Sequence, residues 1–188
     1  CDSIDLTVRR GEILALLGEN GSGKTTLTNM LSGIYQPDSG QILLDGKPVR
    51  IRSPRDAIRL GIGMIHQHFK LVEVLTAREN ILLGQAGMLK VKPEDAARGM
   101  GLQVDLDRKV YDMSVSEKQA VEILKVLCRG ADKLILDEPT AVLTPQEIQN
   151  LFDTLRVMRR EGKAIIIITH KLEEVMEISD RVSVLRKG

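Results

Sequence analysis

The stretch GENGSGKT, Gly18 to Thr25, sets three glycines, a lysine and a hydroxyl residue in the spacing G-x-x-x-x-G-K-[ST]. A buried apolar run precedes it and a helix-like run follows. Backbone N–H groups of a Gly-rich loop, continued by a helix N-terminus, can wrap a β-phosphate where side chains would obstruct the approach. In that chemistry Lys24 bridges the β- and γ-phosphates and the Thr25 hydroxyl ligates Mg²⁺. The candidate ATP contacts are Gly18, Asn20, Gly21, Ser22, Gly23, Lys24, Thr25 and Thr26. A chance Gly-rich turn is the competing reading, and the strand–loop–helix context weighs against it. LILDEP adds Asp137 at the end of a buried run, able to hold Mg²⁺ through a water. Glu138 follows, placed to polarise an attacking water as a general base. His170 ends the next apolar run, in ITH, where it can sense a γ-phosphate. Gln67 closes GMIHQ and can touch Mg²⁺ or the attacking water; an ordinary polar strand end is the alternative. His66 and His68 flank it and receive no role.

The elements that must position these residues are legible in the apolar pattern. IDLTVRR alternates and reads as a half-exposed strand, and ILALL is continuous and reads as a buried one. A helix is expected from Lys24 to Ser32, closed by Gly33. Asp45-Gly46 marks a hairpin within PDSGQILLDGKPVRI. Ser53-Pro54 opens a short helix that Gly61 stops. IGMIHQ, KLILDE, KAIIIITH and RVSVLR read as further strands. Capping boxes at Thr76–Glu79, Ser114–Glu117 and Thr144–Glu147 start helices. Alternating β and α with continuous apolar strands implies an α/β fold with a parallel sheet covered on both faces. The division expected is a core over 1–68, a helical insertion over 69–129 and the rest of the core over 130–188.

Composition narrows the partners. The 188 residues include 27 basic and 26 acidic side chains, a net charge of +1, mixed along the chain. That balance leaves no electrostatic footprint for nucleic acid. Two Phe, two Tyr and no Trp leave few surfaces on which bases could stack. Two cysteines, Cys1 and Cys128, suggest neither zinc nor a disulfide framework, and fit a reducing compartment. The longest aliphatic run, Ala164 to Ile168, is too short to cross a bilayer.

Taken in order, GENGSGKTT, Gln67, the MSVSEKQ helix start, LILDEPTAVLT and His170 resemble an ABC-type ATPase over nearly the whole chain. More narrowly, IHQHFKLVEVLTARENILLG and VEILKVLCRGADKLILDEPTAVLTPQE resemble the first ATPase half of bacterial simple-sugar and purine-nucleoside importers. The resemblance implies a P-loop NTPase core with an antiparallel β part and an inserted helical subdomain. It also implies two ATP sites shared head to tail between two halves, identical chains or fused cassettes. Ser114 and Ser116 would then serve the other half's nucleotide in trans. The implied partners are a transmembrane permease and, indirectly, an extracytoplasmic substrate-binding protein. The implied location is the cytoplasmic face of the membrane, peripherally attached.

The chain departs from that pattern in places. Ser116 stands where the family has glycine, Ala120 where it commonly has Arg, and Thr144 where an Asp is frequent. The segment from Gln67 to Ser114 is short for the family, and no residue matches its adenine-stacking aromatic. Tyr35 is expected to pack in its turn. Two alternatives stay open at this level: a non-hydrolysing nucleotide-binding module, and a soluble ABC-type ATPase without a transport role.

Overall fold

The computed structural model describes residues 1, 3–84, 89–186 and 188; residues 85–88 of the expected helical insertion lie outside these. Five strands form one parallel sheet in the order β4-β5-β6-β1-β7, with β1 Ile13–Leu17, β4 Ile62–Ile65, β5 Lys133–Asp137, β6 Ala164–Ile168 and β7 Arg181–Val184. A separate hairpin joins β2 Ile42–Leu44 to β3 Lys47–Val49. Its two-residue turn uses left-handed backbone at Asp45, φ 49°, and Gly46, φ 76°, the geometry whose twist suits a tight hairpin.

Three apolar clusters hold the layers together. Ile13, Ile65, Leu134 and Ile165 pack on one sheet face against Ile123 and Leu127 of α5 Val115–Cys128 and Phe152, Leu155 and Met158 of α6 Pro145–Arg160. Leu16, Ile135, Ile166 and Ile168 belong to the second cluster, with Leu27 and Leu31 of α1 Lys24–Leu31 and Ala57 of α2 Pro54–Arg59. The third cluster lies among helices. It joins Ala77 and Ile81 of α3 Ala77–Leu82 and Ala96 and Ala97 of α4 Pro93–Met100 to Val121, Leu124 and Cys128. Val121, Leu124 and Cys128 form a fully buried stripe along α5. Ile123 and Leu127 are buried on another side of the same helix, so α5 is clamped between sheet and small helices. Burying each such side chain contributes about 1.5–3 kcal/mol. α7 Leu172–Ile178 completes the set.

Three readings differ from what forms. Residues 4–9 make no strand, although Ile4, Leu6 and Val8 stay half-buried between exposed neighbours. Leu6 and Val8 pack on the second cluster without a ladder partner, so burial alternates but no sheet bonds follow. The strand expected through Gln67 stops at Ile65, because Ile65–Leu136 is its last pair with β5 and Asp137 turns to Ile168 of β6. Tyr35 is 51% exposed rather than packed in its turn.

Parallel pairing gives the site its frame. The pairs Leu16–Ile168, Asp137–Ile168 and Ile65–Leu136 bring the carboxyl ends of β1, β6, β5 and β4 level along one edge. In open α/β sheets ligands gather at that edge.

Candidate functional site

The loop after β1 runs from Gly18 into α1, whose N-cap is Gly23 at φ 102°. α1 has no side-chain cap and no acidic residue in its first turn. α2, α3, α5 and α6 each have a Ser or Thr hydroxyl accepting a first-turn N–H. Uncapped first-turn amides and a positive helix end attract an anion. The loop is also closely built: a Cβ on Gly18 would lie 2.5 Å from the Leu185 carbonyl oxygen and nearer still to Ser22 Oγ. Among the described residues, buried Ser22 Oγ has no hydrogen-bond partner. Lys24 is 9% exposed, and its ammonium donates to the Gly18 and Glu19 carbonyls at 2.6 and 3.0 Å. A buried cation resting on its own loop's carbonyls can exchange them for phosphate oxygens.

Asp137 and Glu138 leave β5 at the same sheet edge as this loop, with β6 between β5 and β1. Burial pushes the Asp137 carboxyl above its ordinary value and the neighbouring Glu138 adds to the shift; His66 and Lys24 oppose it. Asp137 is thus a half-desolvated carboxylate close to a second carboxylate, a setting that a bound cation would relieve. Glu138 adopts left-handed backbone, φ 44°, uncommon outside glycine. Its N–H donates to the Ile168 carbonyl at 2.9 Å, fixing the turn against β6. The same carboxylate collects two expected neighbours. Gln67 Nε2 donates to Oε2 at 3.3 Å, and His170 Nδ1 lies 3.2 Å from Oε1. Gln67, Glu138 and His170 therefore converge from three different strand ends.

Ser114 and Ser116 sit elsewhere. Ser114 caps α5, accepting from Glu117 N while its own N–H donates to Glu117 Oε2 at 2.7 Å. The two serine hydroxyls are 3.1 Å apart. The Glu147 carboxylate at the start of α6 is held below its usual range by the Thr144 N–H, the Ser116 hydroxyl and the Thr144 hydroxyl. The hydrogen bonds of both serines stay within the first turns of α5 and α6, away from their own chain's Gly-rich loop.

Two residues that carry no role in the sequence pattern join the site. His66, given no role, stands close enough to Asp137 to lower its pKa. Gln119, 4% exposed, donates to the Pro139 carbonyl at 2.7 Å and ties α5 to the segment after Glu138. A glutamine amid the buried face of an apolar helix was the signal available, because such a group needs a partner. Among the described residues no cluster of three or more His, Cys, Asp or Glu could hold a metal. Mg²⁺ fits such a site, since it is commonly held by one or two protein ligands with phosphate oxygens and waters.

A parallel sheet with a Gly-rich loop into an uncapped helix after β1, and Asp-Glu at the end of β5 one strand beyond β6, defines a P-loop nucleotide-binding domain. The ABC transporter family profile matches residues 1–141, and the chain belongs to that family. The guanosine import ATP-binding protein NupO of Bacillus subtilis is 53% identical over all of this chain and 38% of its own length. The nucleoside import ATP-binding protein NupA of Lactococcus lactis is 48% identical over all of the chain and 39% of its own. The ribose import ATP-binding protein RbsA of Caldanaerobacter subterraneus is 47% identical, covering 40% of that protein. The chain thus spans about two fifths of these relatives' length. The solved structure of cbiO1 from Clostridium perfringens, part of the cbiONQ ABC transporter complex, superposes with a TM-score of 0.85 at 33% identity. The match covers 98% of this chain and 77% of that one.

Proposed function

We propose that this chain is an ATP-hydrolysing cassette that powers uptake of a nucleoside or simple sugar through a membrane permease. The observation that carries the reading is the meeting of Gln67 and His170 on the Glu138 carboxylate beside the Gly-rich loop. In this reading the loop amides from Gly18 to Thr26 and Lys24 hold the phosphates and offset their charge. The Thr25 hydroxyl, Asp137 and Gln67 hold Mg²⁺, which would draw charge from the phosphate oxygens. Glu138 takes a proton from the attacking water, Gln67 orients that water, and His170 donates to the γ-phosphate. Positioning and electrostatics supply most of the acceleration.

The sugar and nucleoside importers among the relatives support the transport role. The same reading takes 1–68 and 130–188 as the core and 69–129 as a helical subdomain. Exposed Val72, Val74, Leu82 and Leu83 give that subdomain an apolar surface for the permease. A second cassette, identical or fused, completes each site through Ser114 and Ser116, and an extracytoplasmic receptor delivers the solute. Among the described residues no helix is long and apolar enough to cross a membrane, as suits a subunit held peripherally on the cytoplasmic face.

The test is Mg-ATP hydrolysis against protein concentration, with Glu138→Gln as the blank. A rate per chain that rises with concentration and vanishes in the blank supports shared sites. Turnover in Glu138→Gln at the parent rate would overturn the base assignment.

A further inference from the structure

Behind the Glu138–His170 pair lies a buried carboxylate that the proposed chemistry does not use. Glu174, on α7, is 8% exposed, and Thr140 and Thr169 are each 2% exposed. The Thr140 hydroxyl donates to Glu174 Oε2 at 2.7 Å and the Thr169 hydroxyl to the same oxygen at 3.1 Å. Among the described residues Oε1 has no directed hydrogen bond, and it faces the Lys171 ammonium at 3.0 Å. That ammonium also reaches the Thr140 carbonyl at 3.3 Å, while Lys171 N–H donates to the Thr169 hydroxyl at 3.2 Å.

The topology of this network is its point. Thr140 lies two residues past Glu138, and Thr169 immediately precedes His170. One oxygen of Glu174 therefore pins both loops whose side chains meet 3.2 Å apart at the Glu138 carboxylate. Desolvating a carboxylate is costly, and structures retain one where its partners are fixed and numerous. Besides the Lys171 ammonium on Thr140 and the Glu138–His170 contact itself, the two loops are tied by the bond from Glu138 N to the Ile168 carbonyl. That bond fixes the backbone at the strand ends and leaves the residues beyond them to the Glu174 network.

We propose that Glu174 is a positioning residue for hydrolysis, clamping the Pro139–Thr140 and Thr169–His170 segments so that Glu138 and His170 face one phosphate together. The proposal rests on the reading of Glu138 and His170 given above. It makes Glu174 matter for turnover and not for nucleotide capture, because the Gly-rich loop is built on β1 and α1.

The experiment compares Glu174→Ala, Glu174→Gln and Thr140→Val in the chain, with Glu138→Gln as reference. The readouts are Mg-ATP kcat and KM, nucleotide Kd, and the His170 ring nitrogen resonances at fixed pH. Glu174→Ala should lower kcat on the order of tenfold, since small misplacements of reacting groups are amplified in rate. KM and Kd should stay within about twofold of the parent, as expected when only an interaction made in the transition state is lost. Glu174→Gln keeps an acceptor for the threonines and should fall between parent and Ala. The His170 resonances should move in Glu174→Ala and in Thr140→Val, the shape-preserving variant that decides the matter if Glu174→Ala does not fold. Parental kcat and unmoved resonances in a less stable protein would make Glu174 a packing residue and overturn the proposal. So would equal losses in kcat and nucleotide affinity. Unimpaired turnover in Glu138→Gln would sink the site reading instead, and the resonances would still decide whether Glu174 holds the two loops.

Discussion

Adding one methyl group at Gly18 tests how closely the Gly-rich loop is built against the end of the sheet. In Gly18→Ala the new Cβ would lie 2.5 Å from the Leu185 carbonyl oxygen, where real Cβ atoms keep at least 3.0 Å. That carbonyl must retreat by about 0.5 Å, and it belongs to a residue whose N–H donates to the Leu17 carbonyl at 2.8 Å. The second collision is with Ser22 Oγ, a buried hydroxyl with no partner among the described residues. Overpacking of this kind costs about 1–3 kcal/mol, or roughly 2–12 °C in Tm for a domain of this size. Ser22→Ala alone should be neutral or slightly stabilising, because it deletes an unsatisfied buried group. The double variant Gly18→Ala/Ser22→Ala should recover part of the loss and not all, since the Leu185 carbonyl remains. Thermal unfolding of the four proteins closes the cycle, and ATP binding measured alongside should weaken in Gly18→Ala. Strict additivity, or a Gly18→Ala Tm equal to the parent's, would refute the crowding argument.

Three further outcomes follow from the described contacts. Asp137 titrates above its ordinary value of 3.8 in the folded chain, so the native state holds that proton more tightly than the unfolded one. Its ionisation therefore removes stability as pH rises from about 3.8 through the folded value, and Asp137→Asn should raise Tm at pH 7 without Mg²⁺, with the gain fading toward acid. The same variant should lose any stabilisation by Mg-ATP that the parent shows in thermal unfolding. Burial pushes the Cys128 thiol up to about 11, so a thiol reagent at pH 8 should label exposed Cys1 quickly and reach Cys128 only on unfolding. Equal labelling rates would contradict that burial. Thr144→Ala removes the capping box that starts α6 and should cost about 1 kcal/mol, read as a Tm drop of about 2–4 °C.

Much of this fold is legible in the chain because its signals are local. ILALL, KLILDE and KAIIIITH are continuous apolar runs whose covered faces leave parallel strands as the natural reading, and each forms one. Thr76, Ser114 and Thr144 announce their helices through side chains that bond their own first turns. IDLTVRR misleads because alternation reports which side chains are buried, whereas a strand also needs a neighbour to bond. The site divides in the same way. Gly18 to Thr25 is contiguous and names itself, while the meeting of Gln67, Glu138 and His170 depends on a strand order in which β4 and β5 adjoin despite 67 intervening residues. Glu174 left no trace in the pattern, since a glutamate in the first turn of a helix reads as a dipole partner. Its burial under Thr140 and Thr169 is set only when α7 docks.

The two helix starts that the proposal assigns to phosphate differ in how ready they are for it. At α1 the first turn carries no side-chain cap and no acidic residue, and a phosphate there would displace the loop carbonyls from Lys24. At α5 the capping box already occupies Ser114 N and Glu117 N, and the Glu117 carboxylate lies at the helix start. Arg108, 2.8 Å from Glu117 Oε1, offsets that charge. A phosphate arriving there would be served by the N–H groups of Val115 and Ser116, with the Ser114 and Ser116 hydroxyls rotating away from each other to donate. Ser116 differs from a glycine in a definite way: its hydroxyl helps hold the Glu147 carboxyl below its usual range, and one proton cannot serve both that carboxylate and an incoming oxygen. Closing two halves on ATP would therefore compete with the tie between α5 and α6. Ser116→Gly removes the competition along with the extra donor, so it should tighten ATP-dependent association if the tie dominates and loosen it if the hydroxyl reaches phosphate. Sedimentation of Glu138→Gln and Glu138→Gln/Ser116→Gly with Mg-ATP separates the two, and identical association of both proteins would show that Ser116 takes no part in the shared site.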